Sequence, residues 1–70
     1  MRINERYKII YSSKIDDTTE IVLGQNIEDG MFVTWVCANG KSYFWGHYFS
    51  NESNALIDLA ERIMEERKNG

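Results

Sequence analysis

The sequence predicts an α+β fold, a four-stranded antiparallel meander with one C-terminal helix packed on one face, in the order ββββα. Three observations predict it. Apolar and aromatic residues recur with period two in four runs between Arg6 and Phe49, as half-buried strands require. Segments rich in Asp, Asn and Gly separate those runs. After Ser50 the period changes from two to 3.6.

The first strand is expected from about Arg6 to Lys14, where Tyr7, Ile9 and Tyr11 alternate with Arg6, Lys8 and Ser12, although Ile10 interrupts the polar side. "IDDTT" supplies turn chemistry, because Asp carboxylates satisfy nearby backbone amides, and "EIVLG" returns as a second strand with Ile21 and Leu23 on one face. "QNIEDG" ends in Asp29-Gly30, which tolerates positive φ, and leads into "MFVTWVCA", a third strand of β-branched and aromatic residues. Asn39-Gly40 is the strongest hairpin signal in the chain and connects to the fourth strand, "KSYFWGHYF". Leu56, Leu59, Ala60, Ile63 and Met64 then fall at i, i+3, i+4, i+7 and i+8, one face of a helix, while Asp58, Glu61, Glu65 and Glu66 sit elsewhere. Ser50, Asn51 and Ser53 are candidate N-caps, Glu52 and the pair Arg67-Lys68 complement the helix dipole, and Asn69-Gly70 fits a C-terminal stop.

Seventy residues make one domain, residues 1 to 70, and a core of that size rarely supplies more than about 3 to 5 kcal/mol of net stability by itself. Cys37 is the only cysteine, so no internal disulfide forms, and no clustered Cys/His spacing suggests structural zinc. Self-association or a dense aromatic core is left to supply the rest. The 43% hydrophobic content excludes a disordered composition. No apolar run approaches the roughly 20 residues of a membrane span, and "MRINERYKII" lacks the features of a signal peptide, so a cytoplasmic protein with no membrane partner is expected. The net charge of −3 argues against a dedicated phosphate-neutralising domain. Residues 1 to 14 nevertheless hold Arg2, Arg6, Lys8 and Lys14 against Glu5 alone, a net +3, while the remainder carries −6.

"YFWGHYF", Tyr43 to Phe49, packs five aromatic residues into seven and leaves neither face of its strand ordinarily polar. With a two-residue Asn39-Gly40 loop, Trp35 faces Phe44, Val33 faces Gly46 and Met31 faces Tyr48, with Cys37 on the same face. Gly46 leaves a hollow there, so the helix is expected on this side. The opposite face holds Phe32, Thr34 and Val36 against His47, Trp45 and Tyr43, with Phe49 beyond. One helix covers one side of a four-stranded sheet, so this second face is expected to be a binding surface centred on Phe32, Tyr43, Trp45 and His47. Two alternatives stand beside that reading. A strongly twisted sheet with the N-terminal hairpin curled over it would turn the aromatics into core, and a three-residue loop with a bulge would swap the faces.

No chemistry-bearing motif is evident. Cys37 and His47 fall on opposite faces in this register and cannot share a metal or form a nucleophile pair, and Asp16-Asp17 and Glu28-Asp29 read as turn carboxylates. No phosphate loop, GxSxG or HExxH is present. No enzyme activity, cofactor, metal or catalytic residue is therefore expected. The alternative partner is nucleic acid, with bases stacked on Tyr43, Trp45 and His47 and phosphates near Lys8, Lys14 and Lys41. The acidic balance disfavours it.

"EIVLGQN", "FVTW" and "YFWGHYF", followed by "NALIDLAER", resemble a group of short proteins carried on conjugative and other mobile elements of Gram-positive bacteria, over about Tyr11 to Arg62. The resemblance implies a small cytoplasmic accessory or regulatory protein and carries over no catalytic residues. The expected function is thus that of a non-enzymatic interaction module, binding a protein partner or a second copy of itself.

Overall fold

The computed structural model describes residues 2–69. Its strands are β1 (Ile3–Asn4), β2 (Tyr7–Lys14), β3 (Thr19–Asn26), β4 (Phe32–Ala38) and β5 (Ser42–Phe49), and its helix is α1 (Glu52–Asn69). The strands form one antiparallel sheet in the order β1-β2-β3-β4-β5, so sequential neighbours pair throughout. The four expected strands are present, and a fifth, β1, extends the sheet. Two residues carry no readable period, and β1 turns back through Glu5 (φ 47°) and Arg6 (φ 71°), residue types that seldom take the left-handed positions of a tight turn. The helix runs through Asn69, and the Gly70 half of the expected Asn69-Gly70 stop lies outside the described residues.

Polar side chains make the connections. Asp16 Oδ1 accepts the amides of Thr18 and Thr19, both at 2.9 Å, and the first of these is the main reason its carboxyl stays ionised below the usual range. Asn26 Oδ1 takes the amides of Glu28 (2.8 Å) and Asp29 (3.1 Å), and Asp29 Oδ1 that of Met31 (2.9 Å). Among the three candidate caps Asn51 is the one used, its Oδ1 accepting the Asn54 amide at 2.9 Å.

Two bulges shape the sheet. Ile10 is an extra residue between the pairs Ile9↔Gly24 and Tyr11↔Leu23. Trp45 and Gly46 together oppose Trp35, between Val36↔Phe44 and Thr34↔His47. The β4–β5 loop spans three residues, Asn39 to Lys41, rather than the expected two, because Ala38 pairs with Ser42. This shift puts Tyr43 opposite Cys37 and Phe44 opposite Val36, and the bulge then returns His47 and Phe49 to the Thr34 and Phe32 side. The Ile10 bulge separates Tyr7 and Ile9 from Tyr11 in the same way.

These phase changes correct the expected location of the helix. α1 lies on the face of Ile21, Leu23, Phe32 and Val36, which it covers with Ala55, Leu59 and Ile63. Val22, Val33, Trp35 and Cys37 form a second core on the other face, packed by Tyr7, Ile9 and Tyr43. The curl of the sheet encloses it. Tyr7 meets Trp35 edge-on at 5.4 Å and Tyr48 at 6.1 Å, and Arg2 reaches across to donate to Glu20 (3.0 Å) and to the Tyr43 hydroxyl (3.0 Å). The Glu20 bond chiefly, and Tyr43 next, hold the Arg2 guanidinium more firmly protonated than usual. Gly46 leaves a hollow, as expected, but the indole of Trp35 fills it: a Cβ there would lie 2.7 Å from Trp35 Nε1. At Gly24 a Cβ would come within 3.2 Å of Tyr7 Cβ and Val33 Cγ1, so its absence lets β2 fold over β3.

The helix is also rotated from its expected setting. Ala55 and Leu59 are buried, whereas Leu56, Ala60 and Met64 turn outward. Polar contacts account for the rotation: Asp58 and Arg62 bond to Thr34 and draw their side of the helix onto the sheet. Among the described residues no helix is long and apolar enough to cross a membrane.

Candidate protein-binding groove at the β5 bulge

β5 is an edge strand, and its bulge places Trp45 at φ 55°, a conformation that costs an L residue roughly 1–2 kcal/mol. The side chain leaves the ladder and stands 70% exposed, with its ring 4.9 Å from Phe44 in an edge-to-face contact. Beside it runs an open groove of about 310 Å³, with Val36, Trp45 and His47 on the sheet side and Glu61, Arg62, Glu65 and Glu66 from α1.

A polar network underlies the groove. Thr34, fully buried, donates its hydroxyl to Asp58 Oδ2 at 2.5 Å; the same oxygen lies 3.0 Å from His47 Nδ1; and Arg62 donates to both the carbonyl and the hydroxyl oxygen of Thr34 at 3.1 Å. Burial lowers the pKa of Arg62, and the carboxylates of Asp58 and Glu66 oppose that shift. The order of contacts matters chemically. Asp58 stands between Thr34 and His47, so the imidazole cannot take the hydroxyl proton directly, and the arrangement anchors the helix instead of activating a nucleophile. With Arg62 turned to Thr34, the rim toward solvent is carried by Glu61, Glu65 and Glu66; among the described residues none of the three forms an ion pair.

The four residues expected to centre a binding surface are therefore divided. Trp45 and His47 meet at the groove. Phe32 is buried beneath α1, and Tyr43 lies on the opposite face, 5.5 Å from Trp35 and hydrogen-bonded by Arg2. The three lysines do not share a surface either. Lys8 pairs with Gln25 on the helix side, Lys14 with Glu20 on the other side, and Lys41 sits in the β4–β5 loop. Cys37 and His47 occupy opposite faces. The contributions of Val36, Asp58, Glu61, Arg62, Glu65 and Glu66 are the part that sequence reasoning missed. Glu61 and Glu65 are spaced i, i+4 on the polar side of the helix, but nothing in the sequence marks a left-handed Trp45.

Fold and groove define a class: a small α+β domain whose curled meander encloses one core and whose single helix covers another. Compared with protein-family models, with curated proteins and with solved structures, the chain matches none.

Proposed function

We propose that the chain is a non-enzymatic interaction module and that the Trp45 groove docks a segment of a partner protein bearing lysine or arginine. The exposure of Trp45 carries the reading: a large aromatic held out of the ladder at a cost in backbone strain is the kind of anchor that dominates interface energetics. The rim specifies the partner's charge. An ammonium or guanidinium over the indole gains a cation–π contact of about 0.5–2 kcal/mol and finds the carboxylates of Glu61, Glu65 and Glu66 within the same groove. A small accessory or regulatory role, as the resemblance of the aromatic stretch implies, is compatible with such a module.

Titration of the ¹⁵N-labelled protein with short lysine- and arginine-containing peptides, and with glutamate-rich controls, tests the proposal through the Trp45 indole resonance. Basic peptides are expected to shift it, salt to weaken the effect, and Trp45→Ser to abolish binding while leaving the remaining spectrum folded. Equal response to acidic peptides, or no response to any, overturns the reading.

A further inference from the structure

The helix rotation leaves an apolar strip on its outer surface. Leu56 is 45% exposed, Ile57 58% and Met64 69%, with exposed Ala60 between them. Glu52, Leu56, Ala60, Met64 and Lys68 follow one another at four-residue intervals, a single ridge of the helix. The order along that ridge is self-complementary. Turned end for end about Ala60, it sets Leu56 against Met64, Ala60 against itself, and Glu52 against Lys68. Acidic and basic ends thus meet their opposites, and the smallest side chain falls where two helices must approach most closely.

We infer that this ridge is an interface for a second copy of the chain, the two α1 helices crossing antiparallel on a two-fold axis near Ala60. Such an interface is isologous, so each charge contact occurs twice. Ridges at four-residue spacing pack into one another at a crossing angle of about 50°, with axes about 8–10 Å apart, and the long side chains of Glu52 and Lys68 bridge the diverging ends. A short strip of this kind, with modest apolar area, makes a reversible dimer. The α1 residues that line the Trp45 groove, Glu61, Arg62, Glu65 and Glu66, are not members of this ridge, although Glu61 and Glu65 border Met64 and Lys68. The inference is independent of what that groove binds.

Light scattering behind a sizing column, over a range of concentrations, tests it with three variants of the full chain. Glu52→Lys or Lys68→Glu alone sets like charges together twice per dimer and is expected to raise the dissociation constant about ten-fold. The double variant restores the pairing and should return within about two-fold of the wild type. A merely structural effect would not be rescued, because both changes oppose the helix dipole and their costs add. Ala60→Arg, at an exposed helical site, should abolish the dimer with the circular dichroism unchanged. A wild-type monomer at all concentrations overturns the inference. So does a dimer insensitive to Ala60→Arg, or one broken by Trp45→Ser instead.

Discussion

Trp45 and Gly46 are neighbours with opposite constraints. Trp45 carries a large side chain at a backbone angle that favours glycine, while Gly46 lacks one where the Trp35 indole occupies the space. Gly46→Ala forces a methyl to within 2.7 Å of Trp35 Nε1 inside a packed cluster, and is expected to lower unfolding free energy by about 1–3 kcal/mol in denaturant titration. Asp16 gives a pH dependence of known sign. Its amide hydrogen bonds, Thr18 first, keep it ionised in the folded chain to lower pH than in the unfolded one. Its contribution is therefore complete above the unfolded carboxylate range and is lost as pH falls through the folded value. Thermal unfolding between neutral and strongly acidic pH should show a shallower acid decline for Asp16→Asn than for the wild type.

At the scale of elements, strand and helix placement was largely legible and rotation was not. Period two located β2 to β5, and the change to 3.6 located α1, with the Asn51 cap one of three candidates. The expected inward stripe of Leu56, Leu59, Ala60, Ile63 and Met64 kept only Leu59 and Ile63 in contact with the core. Hydrophobic spacing treats Asp58 and Arg62 as solvent-facing, whereas Thr34 gives both a buried partner and turns them inward. Thr34→Val keeps the shape and removes that partner. It is expected to cost about 1–3 kcal/mol and to weaken the attachment of α1, seen as faster amide exchange along the helix than in β3. The faces of β5 were illegible for a different reason: one extra residue in the loop and one in the bulge each invert the phase, and neither Asn39-Gly40 nor "FWGH" encodes the count.

For the whole molecule, curling solves the problem that a single helix leaves. A flat sheet of this composition would expose Val33 and Trp35; the curled sheet buries them beneath Tyr7, Ile9 and Tyr43. Arg2 clasps the opening, bonding to Glu20 on β3 and Tyr43 on β5 and passing 3.4 Å from the Cys37 sulfur. Arg2→Ala is expected to loosen the clasp without unfolding the helix side, and the rate at which Cys37 reacts with a thiol reagent measures it: several-fold faster than wild type if the clasp guards the opening, unchanged if the curl holds by packing alone.

The bulge at Trp45 also bears on solubility. β5 ends the sheet with unpaired backbone groups and an aromatic-rich sequence, the combination that recruits further strands into fibrils. The kink interrupts that edge midway and turns a bulky ring off its line, so the strand presents two short, misaligned templates in place of one long one. Removing residue 45 altogether would straighten the template. The shortened chain should gain dye-binding aggregates on standing where the parent stays clear, which would make an irregularity in the ladder a guard against polymerisation.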